Sequence, residues 1–198
     1  LFYPFVRVLQ LIADNQIFGN KPLENENLVT EAEIRNLIDI GEAEGTVEST
    51  EAEMLEKVFR FGDLEVREVM TPRTEIVSVE RGAQLKEVLD IYAKPSHTRV
   101  PIYKETVDNV IGIISAKDVL RAISVRGIGL EEPVADVMRD AYFVPETKRA
   151  AELFGELRQS GNHLGIVVDE FGGVTGLVTL KRLLEEVVGQ VGEEGAAP

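Results

Sequence analysis

The chain contains one unit written twice. Val66-Arg-Glu-Val-Met70 returns 68 residues later as Val134-Ala-Asp-Val-Met138. Val110-Ile-Gly-Ile-Ile-Ser-Ala-Lys117 returns 64 residues later as Val174-Thr-Gly-Leu-Val-Thr-Leu-Lys181. A small drift in offset within a unit of about sixty residues is what a shortened loop produces, and self-similarity of this kind marks stacked or paired supersecondary units. Residues 65–190 are therefore expected to fold as two equivalent halves, 65–126 and 133–190, with 1–64 ahead of them and a tail over 191–198.

Each copy predicts the same order of elements. A short helix ends at Met70 or Met138, and a strand follows at Ile76–Val79 or Tyr142–Val144, rich in the β-branched and aromatic residues that suit a pleated surface. Leu85, Val88, Leu89 and Tyr92 recur at helical spacing, as do Ala150, Ala151, Leu153, Phe154 and Leu157. Two hairpins come next, Arg99–Tyr103 with Val110–Ile114, and Gly165–Val168 with Val174–Val178. The second turns through Asp169-Glu-Phe-Gly-Gly173, whose glycines admit the positive φ of a tight turn. A last helix opens at Ser115 or Thr179, both good N-cap residues. The unit reads helix–β–α–β–β–α, twice, and the class is α/β.

The region before the repeats has a different character. Residues 1–64 carry 13 Asp and Glu against 5 Lys and Arg. Thr30 with Glu33 and Thr50 with Glu53 have the spacing of capping boxes. Behind them lie apolar stripes of Ile34, Leu37 and Ile38, and of Met54, Leu55, Val58 and Phe59. Lys21–Asn27 reads as a polar linker. Both helices are expected to pack on the repeats or on a partner. Residues 1–19 are apolar but interrupted by Arg7, Gln10, Asp14, Asn15 and Gln16, too polar for the roughly 20 apolar residues of a spanning helix. They also lack the basic start and small-residue cleavage site of a signal peptide. A chain that opens on Leu rather than Met is expected to belong to something longer.

With 44% hydrophobic and 28% charged residues the chain has the composition of a globular protein, not a disordered one. A formal net charge of −14 argues against nucleic acid as a partner, because Lys and Arg dominate phosphate-backbone binding. It argues equally against unaided adhesion to anionic lipid. With no cysteine, disulfides and Cys-based zinc sites are ruled out. The two histidines, His97 and His163, have no metal-ligand spacing around them. Two histidines and no cysteine also leave no nucleophile–base set to assemble, so an enzyme is not expected.

The residues that most resemble a binding site open the last helix of each repeat. A Ser or Thr at a helix N-cap, beside free N–H groups at the positive end of the helix dipole, favours an anion. A carboxylate three residues on lies one turn away and can accept hydrogen bonds from a ribose diol. Ser115-x-x-Asp118 has both parts, with Asp118 expected at the surface; Thr179-x-x-Arg182 has only the first. Read without the ligand, Ser115 and Thr179 are plain helix caps worth about 1 kcal/mol each. Arg99 is then a solvated strand residue and Arg182 a helix-surface one. Arg182 is also suited to a phosphate.

Gly-hydrophobic-hydrophobic-Ser/Thr-x-x-Asp after a strand resembles the nucleotide motif of CBS domains, named for cystathionine β-synthase. Val69-Met-Thr-Pro-Arg-Thr74, His97-Thr-Arg-Val-Pro-Ile-Tyr103, Asn162-His163 with Gly165–Gly172, Gly176-Leu-Val-Thr179 and Leu184–Gly189 narrow it. Together with the acidic helices ending in Val58-Phe-Arg-Phe61, they are similar to the CBS pair of the CorC/CNNM divalent-cation transporters, also called hemolysin-like. The resemblance implies a flat module with two clefts about a pseudo-twofold axis, in which ATP (with Mg²⁺) or AMP binds. It implies that Thr71 and Arg99 contact ribose or phosphate and that Thr179 contacts phosphate. Arg182 stands where the family carries Asp, which removes the ribose clamp from the cleft ordinarily used for ATP. Ser115 and Asp118 keep the motif in the other cleft.

The resemblance further implies a transmembrane domain of the same polypeptide, a place at the cytosolic face of the membrane, and a homodimer. The apolar residues of the short helices (Val66, Val69, Met70, Val134, Val137, Met138) are expected to meet the second copy. Two other readings stand beside it: a CBS-pair energy sensor of some other protein, and a ligand-free dimerisation module.

Overall fold

The computed structural model describes residues 29–93 and 97–189. The apolar start, the polar linker and the tail fall outside the described residues. The chain divides into a unit ending at Glu48 and a second beginning at Ser49.

The first unit contains helix α1 (Glu31–Ala43). Thr30 Oγ1 accepts from the Glu33 amide at 3.3 Å and the Glu33 carboxylate accepts from the Thr30 amide at 2.9 Å, the expected capping box. The chain then folds back on itself, with the Thr46 amide and hydroxyl both donating to the Gly41 carbonyl. Ile34, Leu37 and Ile40 remain exposed within this unit.

The second unit opens with α2 (Ser49–Asp63), which begins one residue ahead of Thr50; Thr50 is therefore inside the helix and not its cap. The helix rests on the two helices of the second repeat, Ala150–Ser160 and Leu180–Val188, and Phe61 meets Phe154 edge-to-face at 6.2 Å. Met54, Leu55 and Val58 keep 40% or more of their surface exposed, so the stripe read from the sequence is only partly covered.

The first repeat contains α3 (Val66–Val69), β1 (Thr71–Pro72), a 3-10 turn (Arg73–Glu75), β2 (Val79–Glu80), α4 (Leu85–Tyr92), β3 (Arg99–Lys104), β4 (Thr106–Ser115) and α5 (Ala116–Arg126). The second contains a 3-10 turn (Val134–Asp136), β5 (Phe143–Pro145), α6 (Ala150–Ser160), β6 (Leu164–Val168), β7 (Val174–Thr179) and α7 (Leu180–Val188). The order is the one the sequence predicts except for β1, a strand the sequence reading did not place. Two further details differ. Only Val79 of the expected strand Ile76–Val79 pairs, because Ile76–Ser78 carry the chain from one sheet to the other. The short helix expected at Met138 is a single 3-10 turn.

One sheet is built from both repeats, and the other, whose strands all come from the first, is met by a bridge from the second. One has the order β1-β7-β6-β5, so β1 of the first repeat pairs antiparallel with β7 of the second, Thr71 opposite Leu177 and Pro72 opposite Gly176. The other has the order β2-β3-β4, and Arg139 of the second repeat bridges antiparallel to Ile113 of the first. The exchange extends into the cores. Val66 and Val69 are buried among Leu153, Leu157, Val167, Val178 and Leu183 of the second repeat. Val134 and Val137 are buried among Leu85, Val100, Ile102, Ile114 and Val119 of the first. A third cluster of Val110, Leu164, Ile166 and Val174 draws on both. The valines expected at a dimer interface are thus 8% exposed or less and packed within their own chain. Met70 and Met138 are partly buried against the same two clusters, so the apolar spacing that suggested an interface is that of an internal core.

The motif glycines permit this crossing. A Cβ on Gly176 would lie 2.6 Å from the Thr71 carbonyl oxygen and from Met70 Sδ. One on Gly112 would lie 2.7 Å from the Arg139 carbonyl oxygen and 2.9 Å from Met138 Sδ. Real side chains do not approach backbone this closely, so glycine is required where the partner repeat's chain crosses.

Candidate functional site

Because each repeat lends its opening segment to the other, each final helix points its N-terminus at residues from the opposite repeat. Two clefts result. The first, about 580 Å³, is lined by Thr98, Arg99, Ser115, Lys117, Asp118, Arg139 and His163 among others. The second, about 310 Å³, is lined by Thr71, Glu75, His97, Arg99, Thr179, Lys181, Arg182 and Glu185 among others. Ser115 and Asp118 come together as expected, Thr71, Thr179 and Arg182 meet in the other cleft, and Arg99 borders both.

At the first cleft, extended backbone at Ser115 (φ −114°, ψ 156°) gives way to α5. Ser115 Oγ accepts from the Asp118 amide at 3.2 Å and donates to Asp118 Oδ2 at 2.6 Å, which also accepts from the Ser115 amide at 3.3 Å. Asp118 Oδ1 takes an ion pair from Arg139 Nη2. Asp118 is only 9% exposed, so the expected surface carboxylate is a buried one, held by its cap and by an arginine from the other repeat. Arg99, opposite Ser115 in the β3–β4 register, is half-buried; burial lowers its pKa, while Tyr92 and Asp118 act to raise it. Tyr92 donates its hydroxyl to the Ile114 carbonyl at 2.7 Å, and burial, then the charge of Asp118, push its pKa up.

At the second cleft, Thr179 (φ −110°, ψ 152°) caps α7 by accepting from the Arg182 amide at 3.1 Å. The Arg182 side chain donates to the Val69 carbonyl at 3.3 Å and pairs with Glu186 at 3.1 Å. It is half-exposed and holds one crossing segment to the helix.

The sequence reading missed Lys117 and Lys181, each two residues after its cap, and Arg139 from the opposite repeat. The signal for Arg139 was present: the repeat offset of 68 that relates the two short helices also carries Thr71 onto position 139. Likewise the offset of 64 carries Arg99 onto His163, Ser115 onto Thr179 and Asp118 onto Arg182. Among the described residues no group of three or more His, Asp or Glu side chains is placed to hold a metal ion. No helix among them is long and apolar enough to cross a membrane.

Two interleaved helix–β–α–β–β–α units with a capped helix N-terminus facing each of two clefts define a tandem CBS module. The CBS-domain family model matches residues 66–125 and 134–189. A solved structure of the CBS domain of the bacterial CNNM/CorC family Mg²⁺ transporter is 39% identical, with a TM-score of 0.74 over 84% of this chain and 100% of that one. A structure of such a domain in complex with ATP is 42% identical, with a TM-score of 0.64 over 70% of this chain and 97% of that one. The magnesium and cobalt efflux protein CorC of Escherichia coli is 37% identical over 180 residues, 91% of this chain and 59% of that protein. This chain belongs to the CBS-domain family and, within it, to the CBS pairs of the CNNM/CorC family. It spans about half the length of the curated relatives it matches, from 45% to 59% in the mycobacterial and CorC proteins.

Proposed function

We propose that this chain is the regulatory part of a divalent-cation transporter and binds an adenine nucleotide, ATP with Mg²⁺ or AMP, at the inner face of the membrane. The transporting activity would reside in a transmembrane domain of the same polypeptide. The observation that carries the reading is the first cleft: Arg99, Lys117 and Arg139 line it together with one carboxylate, Asp118, at a capped helix N-terminus, in a chain whose formal charge is −14. A local cationic hollow on an acidic protein suits a phosphorylated ligand. The amides after Ser115 and the guanidinium groups would take phosphate, and Asp118 would accept from the ribose. Thr71, Arg99, Thr179 and Arg182 are the corresponding ligands at the second cleft. Mg²⁺ would be carried by the triphosphate. The repeats are taken as 65–126 and 133–190, with 1–64 the lead-in and 191–198 the tail.

Isothermal titration of the chain with AMP, ATP and ATP–Mg²⁺ tests this. Saturable binding is expected, weakened tenfold or more by Asp118→Asn, since a hydrogen bond to a charged group is worth about 1.5–3 kcal/mol. Absence of heat with all three ligands would leave the second reading, a ligand-free dimerisation module. That reading draws on Arg182, which stands in place of the family carboxylate and is engaged by Val69 and Glu186. In either case we propose a homodimer. Leu120 and Val125 on α5, 65% and 74% exposed, with Leu184 and Val188 on α7, give it apolar surface. Sedimentation showing only a 21.9 kDa species at micromolar concentration would refute it.

A further inference from the structure

The first cleft contains a competition that its motif alone does not show. Asp118 has two carboxylate oxygens, and Oδ2 is spent on the Ser115 hydroxyl and amide. Oδ1 is the oxygen left to accept a ribose hydroxyl, and Arg139 Nη2 donates to it. Asp118 is 9% exposed while the Arg139 side chain is 62% exposed. The carboxylate is fixed, therefore, and the guanidinium is the partner free to move. The Arg139 backbone is pinned to Ile113 by hydrogen bonds of 2.8 and 2.9 Å, so motion is confined to the side chain.

Oδ1 has two acceptor sites and Arg139 holds one, so a ribose diol that donates both hydroxyls to it displaces Arg139 and leaves a guanidinium, a group with donors only, without its anion. A bare nucleoside offers no anion in return, only neutral acceptors. A nucleoside phosphate offers an acceptor that suits the planar guanidinium better than it suits an ammonium.

We propose that Arg139 makes the first cleft selective for phosphorylated nucleosides: it exchanges Asp118 for the ligand's phosphate, and only then does the carboxylate take the ribose. The proposal rests on the nucleotide reading above and assigns a specificity-determining role to a residue at the position equivalent to Thr71. Arg99 and Lys117 also favour phosphate, but neither is placed on Asp118. Their attraction strengthens a nucleotide without weakening a nucleoside.

The distinguishing measurement is the sign of the change for adenosine. Adenosine and AMP are titrated into the ¹⁵N-labelled chain, with the amides of Ser115 and Asp118 reporting this cleft. In the wild type AMP is expected to bind tenfold or more tighter than adenosine, equivalent to about 1.4 kcal/mol. Arg139→Gln, which removes the charge and keeps the length, should weaken AMP and at the same time strengthen adenosine, closing most of the gap. Arg139→Lys, with the charge kept, should restore the preference in part and guards against a folding artefact of the first variant. An adenosine affinity that is unchanged or lower in Arg139→Gln, with AMP still shifting both amides, overturns the exchange and leaves the nucleotide site standing. If neither amide responds to either ligand in the wild type, the assignment falls together with the nucleotide reading.

Discussion

The two clefts occupy equivalent positions in a repeated fold and have diverged in charge. In the first, three cationic residues line the cleft with one acidic residue; in the second, three cationic residues line it with Glu75 and Glu185. The residue three after the cap is a buried acid in one, tied inward to its own cap and to the opposite repeat. In the other it is a half-exposed base, bonded to the Val69 carbonyl and to Glu186. One backbone scaffold thus supports opposite electrostatic solutions. The cap hydrogen bond uses only main chain and a hydroxyl, so it leaves the fourth position free to change sign.

The crossing glycines should give the largest effect and would break the equivalence on one side at a time. Gly112→Ala and Gly176→Ala each drive a Cβ into a carbonyl oxygen under 3 Å away. Each is expected to destabilise by about 1–3 kcal/mol, the range for overpacking, read as a lower urea midpoint at unchanged slope. Alanine at Gly82, where a Cβ meets nothing within 4 Å, is the control and should show no such loss.

Removing the fourth residue compares the clefts directly. Asp118→Ala deletes half of a capping box and leaves Arg139 without its anion, so about 1–3 kcal/mol of stability should be lost. Arg182→Ala removes a half-exposed side chain and should stay within about 0.5 kcal/mol, or slightly more through its bond to Val69. Equal losses in thermal melts would mean that the burial of Asp118 carries no energetic weight. Arg182→Asp sharpens the contrast in binding. It restores an acceptor for the ribose at the second cleft and should raise nucleotide affinity there roughly tenfold, although Glu186 nearby opposes a second negative charge. Weaker ATP binding instead would identify Arg182 as a phosphate ligand.

The smallest expected effect is acid sensitivity confined to the second repeat. There the Lys148 ammonium, and after it the Tyr142 hydroxyl, hydrogen-bond Glu156 and hold its carboxyl below the usual range. Its folded pKa is depressed, so the stabilisation is present above the unfolded value of about 4.3 and is lost as pH falls through the folded one. The pair is partly open to solvent, and a contribution of about 0.5 kcal/mol is expected. Glu156→Gln should abolish that part of the stability profile below about pH 4.5 and leave the neutral plateau nearly unchanged.

Much of this molecule was legible in the sequence. The period of the repeat, the order of its elements, the Ser115 and Thr179 caps and the Thr30 box are local, and each depends on residues a few positions apart. Periodicity and capping chemistry are short-range, so they are written where they act. Thr50 shows the limit even there, since a helix can begin one residue early and bury its supposed cap in the first turn. What the tertiary structure decided is that the repeat in sequence is not the repeat in space. Val66, Val69, Val134 and Val137 carry the spacing of an apolar face, but spacing does not say which face covers them. They are enclosed by the opposite repeat and not by a second chain. Arg139 reaches Asp118 for the same reason. Their partnership depends on a strand crossing that closes a long loop, and no local pattern of side chains encodes it; it follows only when two half-built cores each lack a wall that the other supplies.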